Sequence, residues 1–251
     1  MLPRLVVTMS SNNWTAAVAG AAAGALAYAA LSKWLQRLDD SKIVEKAIVD
    51  RRSMFLQDLN GEPAPEAAIE RILEAANWAP THGQTQPWRF AVFRRETGQV
   101  EEFFKLQLSS SQTRLKEDGL PADEQSALNK FIKKQPKKTK DIAKCSHIIA
   151  ISMKRQANPE KLMPEWEEIA AVSCAVQNAH ILACQLGVAA YWSSGGIEGP
   201  LITAEVRKLL QLEDGDKCLG LLYVGKANPE AWQKSRERAS RSCITEKTLW
   251  F

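Results

Sequence analysis

Residues 41–251 predict one domain of mixed helices and strands, and three observations carry that prediction. Four apolar runs, at 88–93, 147–153, 188–192 and 217–225, have the length and composition of strands. The stretches between them place apolar residues at helical spacing. The whole chain, 251 residues with 45% hydrophobic and 25% charged side chains, has the balance of an ordinary globular protein. The net charge of +4 suits small anionic ligands without demanding nucleic acid, and no nucleic-acid-binding signature is present. The five cysteines, at 145, 174, 184, 218 and 243, are odd in number and form no CxxC pair. That argues against a disulfide framework and against structural zinc. His180 and Cys184 stand four apart on an expected helix, but no third metal ligand accompanies them, so both read as core or helix-surface residues.

Residues 1–40 differ from the rest. No charged residue occurs from Leu5 to Ser32, the stretch Trp14 to Leu31 is rich in Ala and Gly, and Lys33, Trp34 and Arg37 follow it. About 20 apolar residues suffice to cross a bilayer. Trp14 and Trp34 would mark the two interfaces, and Gly20 and Gly24 make a GxxxG spacing. A single-pass N-terminal membrane anchor is the expectation. The alternatives are a cleaved signal peptide ending near Ala27-Tyr28-Ala29, an organelle-targeting peptide, and a peripheral alanine-rich helix.

The elements of the domain follow in order. Ser41 can cap a helix that carries Ile43, Val44, Ala47 and Ile48 on one face and runs into Arg51-Arg52-Ser53. Asn60-Gly61-Glu62-Pro63 is a turn, and a helix follows over 65–78. After the strand at 88–93, amphipathic patterns predict helices over 97–117 and 122–135. The run Lys133 to Lys140, interrupted by Pro136, reads as a basic hinge, either a solvated loop or a cationic lip for an anion. A strand at 147–153 precedes a long apolar helix over 164–186 that Gly187 stops. The strand at 188–192 leads into Ser193-Ser194-Gly195-Gly196, a short helix covers 203–210, and the last strand spans 217–225. A polar tail, 228–251, ends in Leu249-Trp250-Phe251.

Two segments suggest the chemistry. Arg51 and Arg52 offer adjacent guanidinium forks that match phosphate oxygens. The loop from Ala79 to Trp88 offers hydroxyl, imidazole and amide groups that can hydrogen-bond the edge of a planar heterocycle. There is no Ser–His–Asp set, no paired carboxylates and no metal triad, and no G-x-G-x-x-G follows a strand.

These two segments, together with Pro164-Glu165-Trp166-Glu167, Tyr191-Trp192-Ser193-Ser194-Gly195, Leu222-Tyr223-Val224-Gly225 and the terminal Phe251, resemble the nitroreductase family in order and spacing. The resemblance covers roughly residues 43–251 and is closest to the small bacterial nitroreductases of the YdjA type. It implies an α+β fold, with a central, mainly antiparallel sheet flanked by helices and a C-terminal tail wrapping the partner subunit. It further implies a homodimer with FMN at the subunit interface, NAD(P)H as electron donor and a small-molecule acceptor. Arg51, Arg52 and Ser53 would hold the phosphate and ribityl end, while His82 and Gln84 would reach the flavin of the other subunit. Trp192, Ser193 and Ser194 would contact the flavin. Gln84 stands where many relatives have Asn, Ser193 replaces an Arg, and Trp78 replaces another. No side chain is assigned a catalytic role, because the flavin carries the chemistry. The implied reaction is ping-pong reduction of nitroaromatics, quinones or a related electrophile. The alternatives are a membrane-anchored reductive dehalogenase like iodotyrosine deiodinase, and a non-catalytic flavin-binding module suggested by the changes at 84 and 193.

Overall fold

The computed structural model describes residues 11–194, 197 and 199–251. The chain divides into two compact units, with the division between Val49 and Asp50. The first unit is dominated by a 40-residue helix, α1, Ser11–Asp50. It runs unbroken through Ser41, which therefore lies inside a helix instead of opening one. No Gly or Pro stands between Gly24 and Asp50 to interrupt it.

Among the described residues, no helix is long and apolar enough to cross a membrane. That finding overturns the single-pass anchor and the membrane localisation expected for the leader. The cause is composition. The stretch Trp14 to Leu31 is mostly Ala and Gly, which contribute little to insertion, and charged residues resume at Lys33.

The second unit is built on a four-stranded sheet with strands β1 (Trp88–Arg94), β2 (His147–Met153), β3 (Ala189–Ser193) and β4 (Lys217–Gly225). The spatial order is β1-β2-β4-β3, and every neighbouring pair is antiparallel. All seven residues of β2 are buried, as its continuous apolar run requires of a central strand covered on both faces. Alternate side chains point to opposite layers. Ile149, Ile151, Leu222 and Val224 pack under α2 (Glu66–Asn77) and α5 (Glu165–Gln185). Ile148, Ala150, Leu221 and Tyr223 pack on the other side with α3 (Gln99–Arg114), the end of α4 (Ala122–Ile142) and α6 (Ala204–Leu209). The expected α+β architecture, an antiparallel sheet flanked by helices, is the one observed.

Local signals explain the element ends. Glu165, Glu167 and Glu168 crowd the first turn of α5, where carboxylates suit the positive end of the helix dipole. Thr203 caps α6 by accepting a hydrogen bond from Val206 N–H. Two expectations differ. The basic hinge at 133–140 is helical, because α4 continues through Pro136 to Ile142. The buried positions Leu128, Phe131, Gln135 and Ile142 carry one face of α4 past the proline, and that packing offsets the hydrogen bond the proline removes. The tail contains a further helix, α7 (Pro229–Glu237), with Pro229 in its first turn.

One glycine sets the end of β3. The β2–β4 register shifts between Ile151 and Ser152, and opposite this irregularity Gly220 has φ of 124°. A Cβ at Gly220 would lie 2.7 Å from the Ser193 carbonyl oxygen. Only glycine permits both that backbone conformation and that approach.

Candidate functional site

Arg51-Arg52-Ser53 leave α1 and run beside the edge strand β3. Met54 N–H donates to the Ala190 carbonyl at 2.9 Å, and the Met54 side chain is fully buried beneath. Cys184 Sγ–H donates to Asp50 O at 3.3 Å from α5. His180, also on α5 and buried, donates from Nε2 to the same Ala190 carbonyl at 2.9 Å. That bond fixes the tautomer, so Nδ1 is an acceptor, and it faces Arg51 Nη1 at 3.5 Å. Burial first, and the Arg51 charge second, push the His180 pKa down to about 4. His180 is therefore a neutral acceptor that orients a guanidinium.

Arg52 Nη1 donates to Arg51 O at 2.8 Å, folding the second guanidinium back over the same segment. The Arg51 pKa is lowered by burial, then by Arg241, then by Arg52. Arg51 and Arg52 are thus part-buried neighbours, and the exposed Arg241 adds its positive charge to the same side of the fold. Mutual repulsion there is relieved by an anion, and a phosphate matches the donors.

The second segment is a loop against the other end of α5. The turn His82–Gln84 has Gly83 at φ 59°, and Gln84 and Gln86 also adopt left-handed conformations, with φ of 54° and 44°. Non-glycine residues in that region are strained and persist where the surroundings hold them. Thr81 Oγ1 accepts from Gln86 N–H at 3.2 Å, Gln156 donates to Thr85 O at 3.0 Å, and Met163 packs on Gly83. His82 Nδ1 is 2.5 Å from Glu167 Oε2, on the first turn of α5. The His82 ring is exposed, and Glu167 ties it to α5.

The third segment is the end of β3. The Trp192 indole N–H donates to Leu219 O at 3.1 Å, and its ring packs toward the α5 layer. Ser193 ends the strand and Ser194 follows it, exposed. Gly195 and Gly196 lie outside the described residues.

The fold brings Arg51, Arg52 and Ser53 alongside the strand that carries Trp192 and Ser193. It does not bring His82 and Gln84 to the same place in one chain. Glu167, which holds His82, and His180, which faces Arg51, are thirteen residues apart on α5, about 20 Å at the helical rise. Sequence reasoning missed three participants. His180 had been read as a core residue, and its contact with Arg51 spans 129 residues of chain. Arg241 lay in a tail read as merely polar. Glu167 stood within a quoted motif but had no partner until the fold supplied His82. Trp88 is buried, in keeping with a packing role, whereas Trp166 is largely exposed. No group of three or more metal-ligating side chains occurs among the described residues.

Comparison with known proteins places these features in a family. The chain is 26% identical over 211 residues to YfhC of Bacillus subtilis (strain 168), which carries the name of an NAD(P)H nitroreductase; the match covers 84% of this chain and 97% of that one. A nitroreductase-like family protein from Bacillus cereus shares the fold with a TM-score of 0.61 at 20% identity, over 83% of this chain and 95% of that one. The FMN-dependent nitroreductase NfnB from Mycobacterium smegmatis, solved in complex with NADPH, superposes with a TM-score of 0.59 at 16% identity, over 84% and 99%. Residues 48–226 match the nitroreductase family model, a span that contains the Arg51 segment, the His82 loop, α5 and all four strands, and the chain belongs to the nitroreductase family.

Proposed function

We propose that this protein is an FMN-dependent oxidoreductase that uses NAD(P)H to reduce a nitroaromatic, a quinone or a related small electrophile, and that it acts as a homodimer. The observation that carries the reading is the pair of part-buried arginines, Arg51 and Arg52, held beside β3, with the charge of the exposed Arg241 acting on them. FMN fits that donor set, since its phosphate oxygens match the guanidinium forks of Arg51 and Arg52. Bound there, it would take two electrons from NAD(P)H and pass them to the acceptor.

The chain's own residues bind and orient. Arg51 and Arg52 grip the phosphate, with Ser53 beside them. Neutral His180 holds the Arg51 fork without adding a competing positive charge. Trp192, its N–H committed to Leu219 O, offers an apolar ring and excludes water. Ser193 and Ser194 offer hydroxyls at the end of β3. The separation of their two anchors on α5, about 20 Å at the helical rise, supports a site shared between subunits, in which His82 and Gln84 serve the partner's flavin. Trp78 and Trp166, both largely exposed, flank that loop and would be covered by a second copy. The tail 238–251, with Trp250 exposed at its end, would wrap the partner. The relative NfnB, solved with NADPH, supports the donor. Donor and acceptor using one pocket in turn makes the kinetics ping-pong. Residues 1–40 contribute nothing to this site, and residues 41–251 form the FMN-binding domain.

The test is calorimetric titration of the flavin-free protein with FMN. Replacing Arg51 and Arg52 together by Ala removes two charge-assisted contacts, each worth about 1.5–3 kcal/mol, and affinity falls by a factor on the order of 100 or more. Unchanged affinity in the double variant would sink the phosphate assignment.

A further inference from the structure

The lysines of α4 take no part in the chemistry described so far. Lys130, Lys133, Lys134, Lys137, Lys138 and Lys140 follow one another closely, and no Asp or Glu occurs from Gln125 to Lys140. The chain has 33 basic and 29 acidic side chains, so without these six lysines its formal charge would be −2 instead of +4. The positive excess is therefore local to one stretch of one helix.

The two faces of α4 differ. Leu128, Phe131, Gln135 and Ile142 are buried. Lys130, Lys133, Lys137 and Lys140, spaced three, four and three residues apart, fall on the opposite side, and all four are exposed. They make a row about 15 Å long at the helical rise. Lys138 is part-buried and turns inward, with Nζ 5.8 Å from the Phe104 ring centroid and 5.5 Å from that of Tyr223.

Two observations mark the outward row as a surface for a partner. The first is that the carboxylates nearest its ends are committed elsewhere. Glu124 pairs with Arg114 at 3.2 Å, and Asp141 with Lys144 at 3.8 Å. Among the described residues, none of the four outward lysines has an ion pair. The second is a cost to the helix. Like charges three and four residues apart oppose helix formation, and here they succeed one another around Pro136, itself a helix breaker. A solvent-facing helix relieves such repulsion with acids at the same spacing, as α3 does with Glu101 and Lys105. A helix that keeps the repulsion breaks a local rule, and such breaks concentrate at functional sites.

The borders of the row select the partner. Asp123 and Glu124 stand in the first turn of α4 and Asp141 follows Lys140, so carboxylates bound the row at both ends. A long polyanion, such as a nucleic-acid duplex or a charged bilayer, would extend over them. An extended peptide of about five residues would not, at about 3.3 Å per residue. Its alternate side chains, about 6–7 Å apart on one face, come close to the spacing of side chains one helical turn apart. Phe131, the single aromatic residue of α4, is buried, so the row offers no ring on which a base could stack.

We propose that the outer face of α4 docks a short acidic segment of a partner protein, with alternate carboxylates of an extended chain received by Lys130, Lys133, Lys137 and Lys140. None of these lysines belongs to the proposed flavin site, so the inference stands apart from the oxidoreductase reading.

The experiment is a fluorescence-anisotropy titration of the full-length protein at low ionic strength, with and without saturating FMN. The probe is a fluorescein-labelled hexaglutamate peptide, and hexaglutamine is the control. Hexaglutamate should bind equally with and without FMN, about tenfold or more tightly than hexaglutamine, and more weakly as salt is raised. Lys133→Glu together with Lys137→Glu should weaken it by about tenfold or more, with FMN affinity unchanged and a melting curve that verifies the fold. Lys161→Glu together with Lys208→Glu makes the same change in net charge at exposed positions elsewhere and should weaken it by less than about twofold. Absence of binding, equal binding of hexaglutamine, equal losses in the two double variants, or displacement by FMN overturns the proposal. So does tighter binding, through the same lysines, of a short DNA duplex or of phosphatidylserine vesicles, either of which would make the face one for nucleic acid or membrane. Failure of the protein to take up FMN would count against the oxidoreductase reading instead, and the titration without FMN would still decide this one.

Discussion

The two halves of the candidate site are held in contrasting ways. The Arg51 half is tied into the core. Met54 N–H and His180 Nε2 share the Ala190 carbonyl, Met54 is fully buried, and His180 fixes a guanidinium. The His82 half is a strained loop fastened to α5 by one ion pair, with the His82 side chain 69% exposed. The contrast teaches that one segment is fixed by the core of its own chain, whereas the other is held mainly by a single side-chain pair.

The comparison breaks most severely at Gly220. The anchored half depends on how β3 sits on β4, and any side chain at 220 meets the Ser193 carbonyl while adopting a φ of 124°. Strain and overpacking each cost about 1–3 kcal/mol, so Gly220→Val should destabilise the domain by about 4 kcal/mol in denaturant unfolding. A loss under 1 kcal/mol would mean that the strand end shifts freely and the anchored half is not rigid.

The next largest effect is set by pH. His180 is neutral in the fold with a pKa of about 4, against 6.5 for an ordinary histidine. Between these values the unfolded chain binds the proton and the folded one does not, so stability falls as pH drops from 6.5 toward 4. The gap amounts to about 3 kcal/mol. His180→Gln, which cannot titrate, should flatten the stability-against-pH curve in that window. A curve of unchanged slope would show that His180 is not the group responsible.

The smallest effect belongs to the loop. Exposed ion pairs are worth about 0–1 kcal/mol, so Glu167→Gln should leave the melting temperature almost unmoved. Its effect should appear in turnover, because His82 loses the carboxylate that holds its ring to α5. A large drop in melting temperature with normal turnover would reverse the assignment of the two halves.

The strands were legible because continuous apolar runs such as His147–Met153 have few other uses, and Arg51-Arg52-Ser53 stood out as a compact motif. What was not legible depends on distance. Nothing local to His180 announces a partner at Arg51, and nothing in the tail announces that Arg241 returns to it. Local rules also misled. Ser41 is a good cap but has no break in the helix behind it to cap. Pro136 is a good breaker, yet the apolar stripe of α4 overrides it. The Ala-rich leader has the length of a membrane span without the apolarity.

Lys138 carries a consequence of another kind. Burial lowers its pKa from the ordinary 10.5 to about 8, so it gives up its proton more readily than an exposed lysine does. An uncharged amine is a nucleophile. In a chain with many lysines, this one should react first with a limiting acylating reagent at neutral to mildly basic pH, and mass mapping of the modified peptides would find the label there. Acylation there would remove a positive charge that lies over the Phe104 and Tyr223 rings.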